Sequence, residues 1–163
     1  MTRIFLLFFF LALIARAELY MAPVNSSVYL TNGNGHGSTN TKIRRWTNNT
    51  VTGSDMTYAD SAANGMTVTI NVAGTYAISY NDYYNLASAD IGISVNSAEL
   101  TTNIGTITAA NRVAINQQPA TNGAPVFVAT TRYFNAGDVV RTHTSGLMNS
   151  TDVYSWFRIT RVN

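Results

Sequence analysis

The chain contains no cysteine. A disulfide framework, a thiolate nucleophile and a Cys-ligated metal are thereby excluded, and stability has to come from core burial or assembly. Charge is scarce as well: 11% of the 163 residues are Asp, Glu, Lys or Arg, against roughly 25% in an ordinary soluble domain. Asn, Thr, Ser and Ala supply the polar surface instead, a neutral texture shared by many extracellular and particle-borne β proteins. The net charge of +2 is too small to imply nucleic-acid binding. Lysine is reduced to Lys42, the other basic residues being Arg, which tends toward planar, paired contacts at interfaces. The two histidines, His36 and His143, lack HExxH or His-x-His spacing, and both read as solvated or interface residues. No segment after residue 20 holds a helical period, and there is no internal repeat or collagen-like tract.

What is present is strand signal. Met66, Val68, Ile70 and Val72 alternate with Thr67, Thr69 and Asn71, the two-residue period of a half-buried strand. Tyr76, Ile78 and Tyr80 resume the alternation after Gly74, which predicts a hairpin with a positive φ at Gly74. Further strands are predicted over 28–31, 43–47, 89–95, 126–134, 138–143 and 153–162. Residues 97–125 are the hardest to assign, with strands expected around Ile104–Ile107 and Arg112–Ile115. Asn32 to Asn40 reads as a glycine-rich loop. It lacks the Gly-Lys-Ser/Thr ending and following helix of a phosphate-cradling loop. Gly137 and Asp138 predict a second structural turn, the carboxylate capping backbone N–H groups.

The N-terminus is a separate object. Arg3, the apolar run Ile4 to Ala15 and an Ala-x-Ala end at Ala17 match a secretory signal, the run being short against the about 20 residues of a bilayer span. An uncleaved membrane anchor and a segment buried in a larger assembly are the alternatives, so any membrane contact is expected only through this segment. The expected division is 1–17 signal-like or anchoring, 18–27 linker, and 28–163 a single β domain.

Chemistry-bearing motifs are thin. Asp82, Asp90, Asp138 and Asp152 are too scattered for a general acid/base couple, and Ser145 and Ser155 lack a nucleophile elbow. Asn81, Asp82 and Asp90 flank a loop but fall short of the acid density of a dedicated calcium site. Tyr80, Tyr83 and Tyr84, with Asn81, Asp82 and Asn85, form a candidate sugar-stacking patch. Asn25, Asn48 and Asn149 begin glycosylation sequons, frequent by chance in so Asn- and Thr-rich a chain. No enzymatic activity, metal or cofactor is expected.

Short strands separated by Gly, Asn and Pro turns indicate an antiparallel sandwich or barrel. The order of signals resembles the C1q/TNF-like jelly rolls: the corner Val72-Ala73-Gly74-Thr75-Tyr76, the strand Ile91 to Asn96, the run Arg132 to Val140 with its Gly137-Asp138, and the closing aromatic strand Tyr154 to Ile159. The match is close over 66–163 and loose over 24–65.

The resemblance implies an all-β, antiparallel two-sheet jelly-roll sandwich that assembles as a homotrimer. The closing strand agrees, with Val153, Phe157 and Ile159 read onto one face and Tyr154, Trp156 and Val162 onto the other. A strand apolar on both faces is covered on both, so Tyr154, Trp156 and Val162 are the expected trimer interface. The texture is most similar to the C1q-like domains of bacteriophage virions and bacterial surfaces. The expected role is thus a non-enzymatic virion decoration, spike or fibre-head protein on a virion exterior, with other virion or surface proteins and a host-surface glycan as partners. The alternative is a secreted, extracellular lectin-type module.

Overall fold

The alternation resolves into ten strands in a computed structural model that describes residues 26–84, 89–117, 125–147 and 151–162. They are β1 (Ser27–His36), β2 (Arg44–Thr52), β3 (Met56–Ser61), β4 (Gly65–Ile70), β5 (Gly74–Tyr83), β6 (Asp90–Val95), β7 (Arg112–Gln117), β8 (Pro125–Phe134), β9 (Val139–Thr144) and β10 (Thr151–Arg161). All pair antiparallel, in two five-stranded sheets ordered β2-β1-β10-β5-β8 and β3-β4-β9-β6-β7. The architecture is an all-β two-sheet jelly-roll sandwich. The expected signal segment 1–17 and residues 18–25 of the linker lie outside the described residues.

Each sheet turns its apolar phase inward. Tyr76, Ile78 and Tyr80 of β5 join Val28 and Leu30 of β1, Phe157 and Ile159 of β10, and Val126, Val128 and Phe134 of β8. Opposite them lie Met66, Val68 and Ile70 of β4, Ile91, Ile93 and Val95 of β6, and Val140 of β9. Burying each such side chain stabilises the fold by about 1.5–3 kcal/mol. The rings meet edge-on, Trp46 on Tyr80 at 5.9 Å, Tyr80 on Phe157 at 6.4 Å and Tyr76 on Phe134 at 6.1 Å, the geometry their quadrupoles favour.

Several expectations are corrected. β4 and β5 are not a hairpin: β4 pairs with β3 and β9, β5 with β10 and β8. The chain crosses between the sheets at Asn71–Ala73, where the Tyr76 hydroxyl donates to Val72 O at 2.6 Å and Val72 itself is exposed. Gly74 is buried in the ladder and is not a positive-φ residue. Alternation fixes which face a residue takes, not which strand its neighbour pairs with. The Asn32–His36 stretch, expected as loop, belongs to β1, whose register shifts twice, with Asn32 at φ 59° and Gly35 at φ 68°. Strand β3 has no counterpart in the sequence reading, and Ile104–Ile107 is turn rather than strand. Val153 leaves the core face: two extra residues of β10 fit between its pairings with Thr31 and Gly33, exposing Val153 and Tyr154 together.

The segment between β6 and β7 covers the β6–β9 part of the second sheet. Ile104 and Ile107 bury themselves against it, and a Cβ on Gly92 would lie 2.6 Å from Ile104 Cγ1. The cover is pinned by Lys42 N–H to Leu100 O at 3.1 Å, Thr108 N–H to the Glu99 carboxylate at 2.7 Å, and the Arg112 guanidinium to Ile107 O at 3.1 Å.

One ion pair runs through the core. The Arg44 side chain leaves β2, passes Gly33 of β1 and Ser155 of β10, and meets Asp82 of β5, Nε to Oδ2 at 3.1 Å and Nη2 to Oδ1 at 3.2 Å. Both side chains are fully buried. Asp82 also accepts from the Tyr80 hydroxyl and from the Tyr83 amide at 2.9 Å. Ser155 Oγ donates to Asp152 at 2.8 Å. Burial pushes the Asp82 carboxyl upward against the pull of Arg44 and these donors.

A Cβ on Gly33 would overlap the Arg44 guanidinium, whereas one on Gly137, at φ 92°, would meet nothing within 4 Å. Gly33→Ala therefore displaces a buried charge from its partner and should cost about 3–5 kcal/mol in urea unfolding. Gly137→Ala should cost only the strain of its conformation, about 1–2 kcal/mol; equal losses would contradict the assignment.

Candidate functional site

The outer face of the first sheet carries exposed aromatic and aliphatic side chains at its two ends, with small and polar ones between them. Pairing across β10, β5 and β8 sets out its rows: Trp156–Asn81–Phe127, then Arg158–Ser79–Ala129, then Thr160–Ala77–Thr131. Beyond them, Val162 N–H donates to Thr75 O at 2.9 Å, and Thr75 pairs with Tyr133. Bulky side chains stand at both ends and small ones between, a saddle whose floor is a shallow groove lined by Ala77, Ser79, Ala129, Thr131, Arg158 and Val162. At one end the rings of Phe127 and Trp156 lie 5.8 Å apart and those of Tyr83 and Tyr154 6.2 Å. Tyr154 is 70% exposed, Tyr133 60%, Val162 51% and Phe127 48%.

Among solved structures, murine APRIL superposes in crystals at pH 5.0, 8.5 and 8.0 with TM-scores of 0.56, 0.56 and 0.59 and identities of 10%, 12% and 10%. Each alignment covers 85% of this chain and 99% of the APRIL chain. The fold is that of the TNF-like jelly rolls. No protein-family model and no curated protein sequence matches the chain.

The TNF-like sandwich brings the expected interface residues Tyr154, Trp156 and Val162 onto this one face. Phe127 and Tyr133, unassigned from sequence, share it. Their signal was present: Phe127, Ala129, Thr131 and Tyr133 form the phase of β8 opposite to buried Val126 and Val128.

The sugar-stacking patch does not assemble as expected. Tyr80 and Tyr84 are fully buried, because they occupy the inward phase. Tyr83 alone of the three tyrosines reaches the outer face, and Asn85 lies outside the described residues. Asn81 and Asp82 point to opposite faces of β5: the Asn81 amide donates to Tyr154 O at 3.0 Å while Asp82 holds Arg44. Asp90, buried in the other sheet, does not join them. At the Gly137 turn, Asp138 accepts from Asn135 N–H at 2.8 Å and the Asn96 amide at 2.7 Å.

His143 is not solvated, whereas His36 is half-buried. His143 is fully buried under the cover segment. Its Nε2–H donates to Thr102 O at 2.8 Å, leaving Nδ1 to accept from Ser94 Oγ at 3.1 Å. Burial lowers its pKa, as does Arg141. This serine–histidine contact is sealed, and its second partner is a carbonyl, not an orienting carboxylate. His36 contacts Thr144 Oγ1 through Nε2 at 2.9 Å.

Burial first, then the charges of Arg44 and Lys42, lowers the His36 pKa from 6.5 to about 3. The native state thus binds this proton more weakly than the unfolded chain does. The stability that neutral His36 confers is complete above pH 6.5 and is lost as pH falls toward about 3. Calorimetry should show His36→Gln losing less melting temperature than the parent between pH 6.5 and 4; parallel curves would mean that His36 titrates normally.

Proposed function

We propose that this chain is a non-enzymatic homotrimeric module whose β10–β5–β8 face packs against neighbouring copies, presented on the exterior of a particle or surface. The observation that carries the reading is the exposed apolar saddle on a sandwich whose other sheet is partly covered by its own chain. The exposed parts of Phe127, Tyr133 and Tyr154, with half-buried Trp156, supply a share of the roughly 800 Å² per partner that a stable interface buries. Exposed patches of this kind mark association sites. The three-fold count follows from the resemblance to C1q/TNF-like jelly rolls. The low charge and Asn/Thr-rich surface support a virion or cell-surface setting over a hormone-like one.

Light scattering of residues 18–163 should give three chain masses. Trp156→Glu or Val162→Glu should release monomers by placing a charge at a desolvated contact. A stable monomer with Trp156 accessible would overturn the reading. If that monomer also bound glycans, the secreted lectin-type module would replace it. Deleting residues 1–23 should leave a folded trimer that no longer attaches to its particle.

A further inference from the structure

The seven arginines of the described residues divide by partner: three pair with an aspartate, Arg132 lies over the Phe134 ring, Arg158 donates to Thr160 Oγ1, and Arg112 and Arg141 remain. Arg44, Arg45 and Arg161 each pair with an aspartate: Asp82 at 3.1 Å, Asp60 at 3.6 Å and Asp55 at 3.1 Å. Arg112 and Arg141 have no carboxylate partner among the described residues. Both flank one serine: Ser94 of β6 pairs with Arg112 of β7 on one side and Arg141 of β9 on the other. Paired residues share a face, and neighbouring strands lie about 4.8 Å apart, so the two backbones stand about 10 Å apart across Ser94. Ile93 and Val95 point into the core, which puts Ser94 and both arginines on the outer face of the second sheet. Each arginine is half-buried and still reaches solvent.

Their Nε atoms are shielded from water and have no hydrogen-bond acceptor. Arg112 spends one Nη on Ile107 O, and the Arg141 side chain has no hydrogen bond to a described residue. A shielded Nε–H without an acceptor is costly, since buried polar groups are as a rule satisfied. Burial alone pulls the Arg141 pKa down, as expected of a cation with no compensating anion.

We propose that Arg112 and Arg141 form a binding site for a tetrahedral oxyanion, a sulfate or phosphate, either free or carried as an ester on a sugar. A carboxylate has two oxygens and suits a single guanidinium fork, whereas a tetrahedral oxyanion presents oxygens to two forks at once. Two flanking positive charges match the double negative charge of free sulfate or of a phosphate group, and exceed the single charge of a sulfate ester. The site lies on the sheet opposite the apolar saddle, so it stands or falls independently of trimer formation.

The full chain is melted in sodium sulfate and in sodium chloride of equal ionic strength, alongside Arg141→Gln and the double variant Arg112→Gln/Arg141→Gln. At about ten times Kd, sulfate should raise the parent melting temperature by about 3–6 °C beyond chloride. The increment should be lost in the double variant. In chloride, Arg141→Gln should melt no lower than the parent, since it removes an uncompensated charge. An equal sulfate increment in parent and double variant is the general exclusion effect of sulfate and overturns the site, as does the absence of any increment. If a glutamine variant fails to fold, Arg141→Lys keeps the charge without the fork and should bind sulfate about tenfold more weakly by calorimetry; unchanged affinity overturns the site. N-acetylglucosamine 6-sulfate beside its unsulfated parent sugar separates the sources. Tighter binding of the ester than of free sulfate assigns a carried group, and equal affinity assigns the free ion.

Discussion

The contact on which the first sheet depends is the one between Arg44 and Asp82. The guanidinium lies along the inner surface of the sheet from β2 to β5, crossing β1 where Gly33 leaves room and β10 where Ser155 offers an oxygen. Four of the five strands are thereby tied by a single side chain. Two charges removed from water gain little net free energy against an apolar pair of the same volume, but leaving either one alone is expensive. The pair therefore acts mainly on register. A slip of one residue in β1 puts a side chain where the guanidinium lies, and a slip in β5 turns Asp82 outward, since successive residues face opposite ways.

The two sheets solve the problem of their outer faces differently. The β6–β9 part of the second sheet is roofed by the chain between β6 and β7, with Ile104 over Gly92 and His143 bonded to the roof at Thr102. His143, buried in this layer, finds both its partners there, Ser94 and Thr102, and Glu99 at its edge accepts from Thr108. The first sheet has no such roof among the described residues. Its outer rows keep aromatic rings in tilted pairs that shield one another only in part.

The strands were legible in the sequence because a two-residue period survives wherever one face is buried. Met66 to Ile70, Tyr76 to Tyr80 and Ile91 to Val95 fall in β4, β5 and β6 with the expected phases. Pairing was not legible, because alternation is silent about partners; Gly74 was read as a corner when the chain there passes from one sheet to the other. Phase does flag Asp82, a carboxylate in step with Tyr76, Ile78 and Tyr80, but only the folded sheet brings Arg44 to it. The same phase moves Tyr80 and Tyr84 from a surface patch into the core. The bulge in β10, which exposes Val153, depends on Asp152 folding back onto the Tyr154 amide and Ser155 hydroxyl, a local competition that hydrophobic pattern does not record.

The roof over the second sheet also limits how copies of the molecule can accumulate. A sandwich with two bare faces stacks without end, each copy offering a fresh surface to the next. With part of one face occupied by its own chain, the exposed aromatic rows of the described residues are concentrated on the first sheet. The segment from Asn96 to Asn111, which carries no strand, thus takes the place over β6 and β9 that a second molecule would otherwise meet.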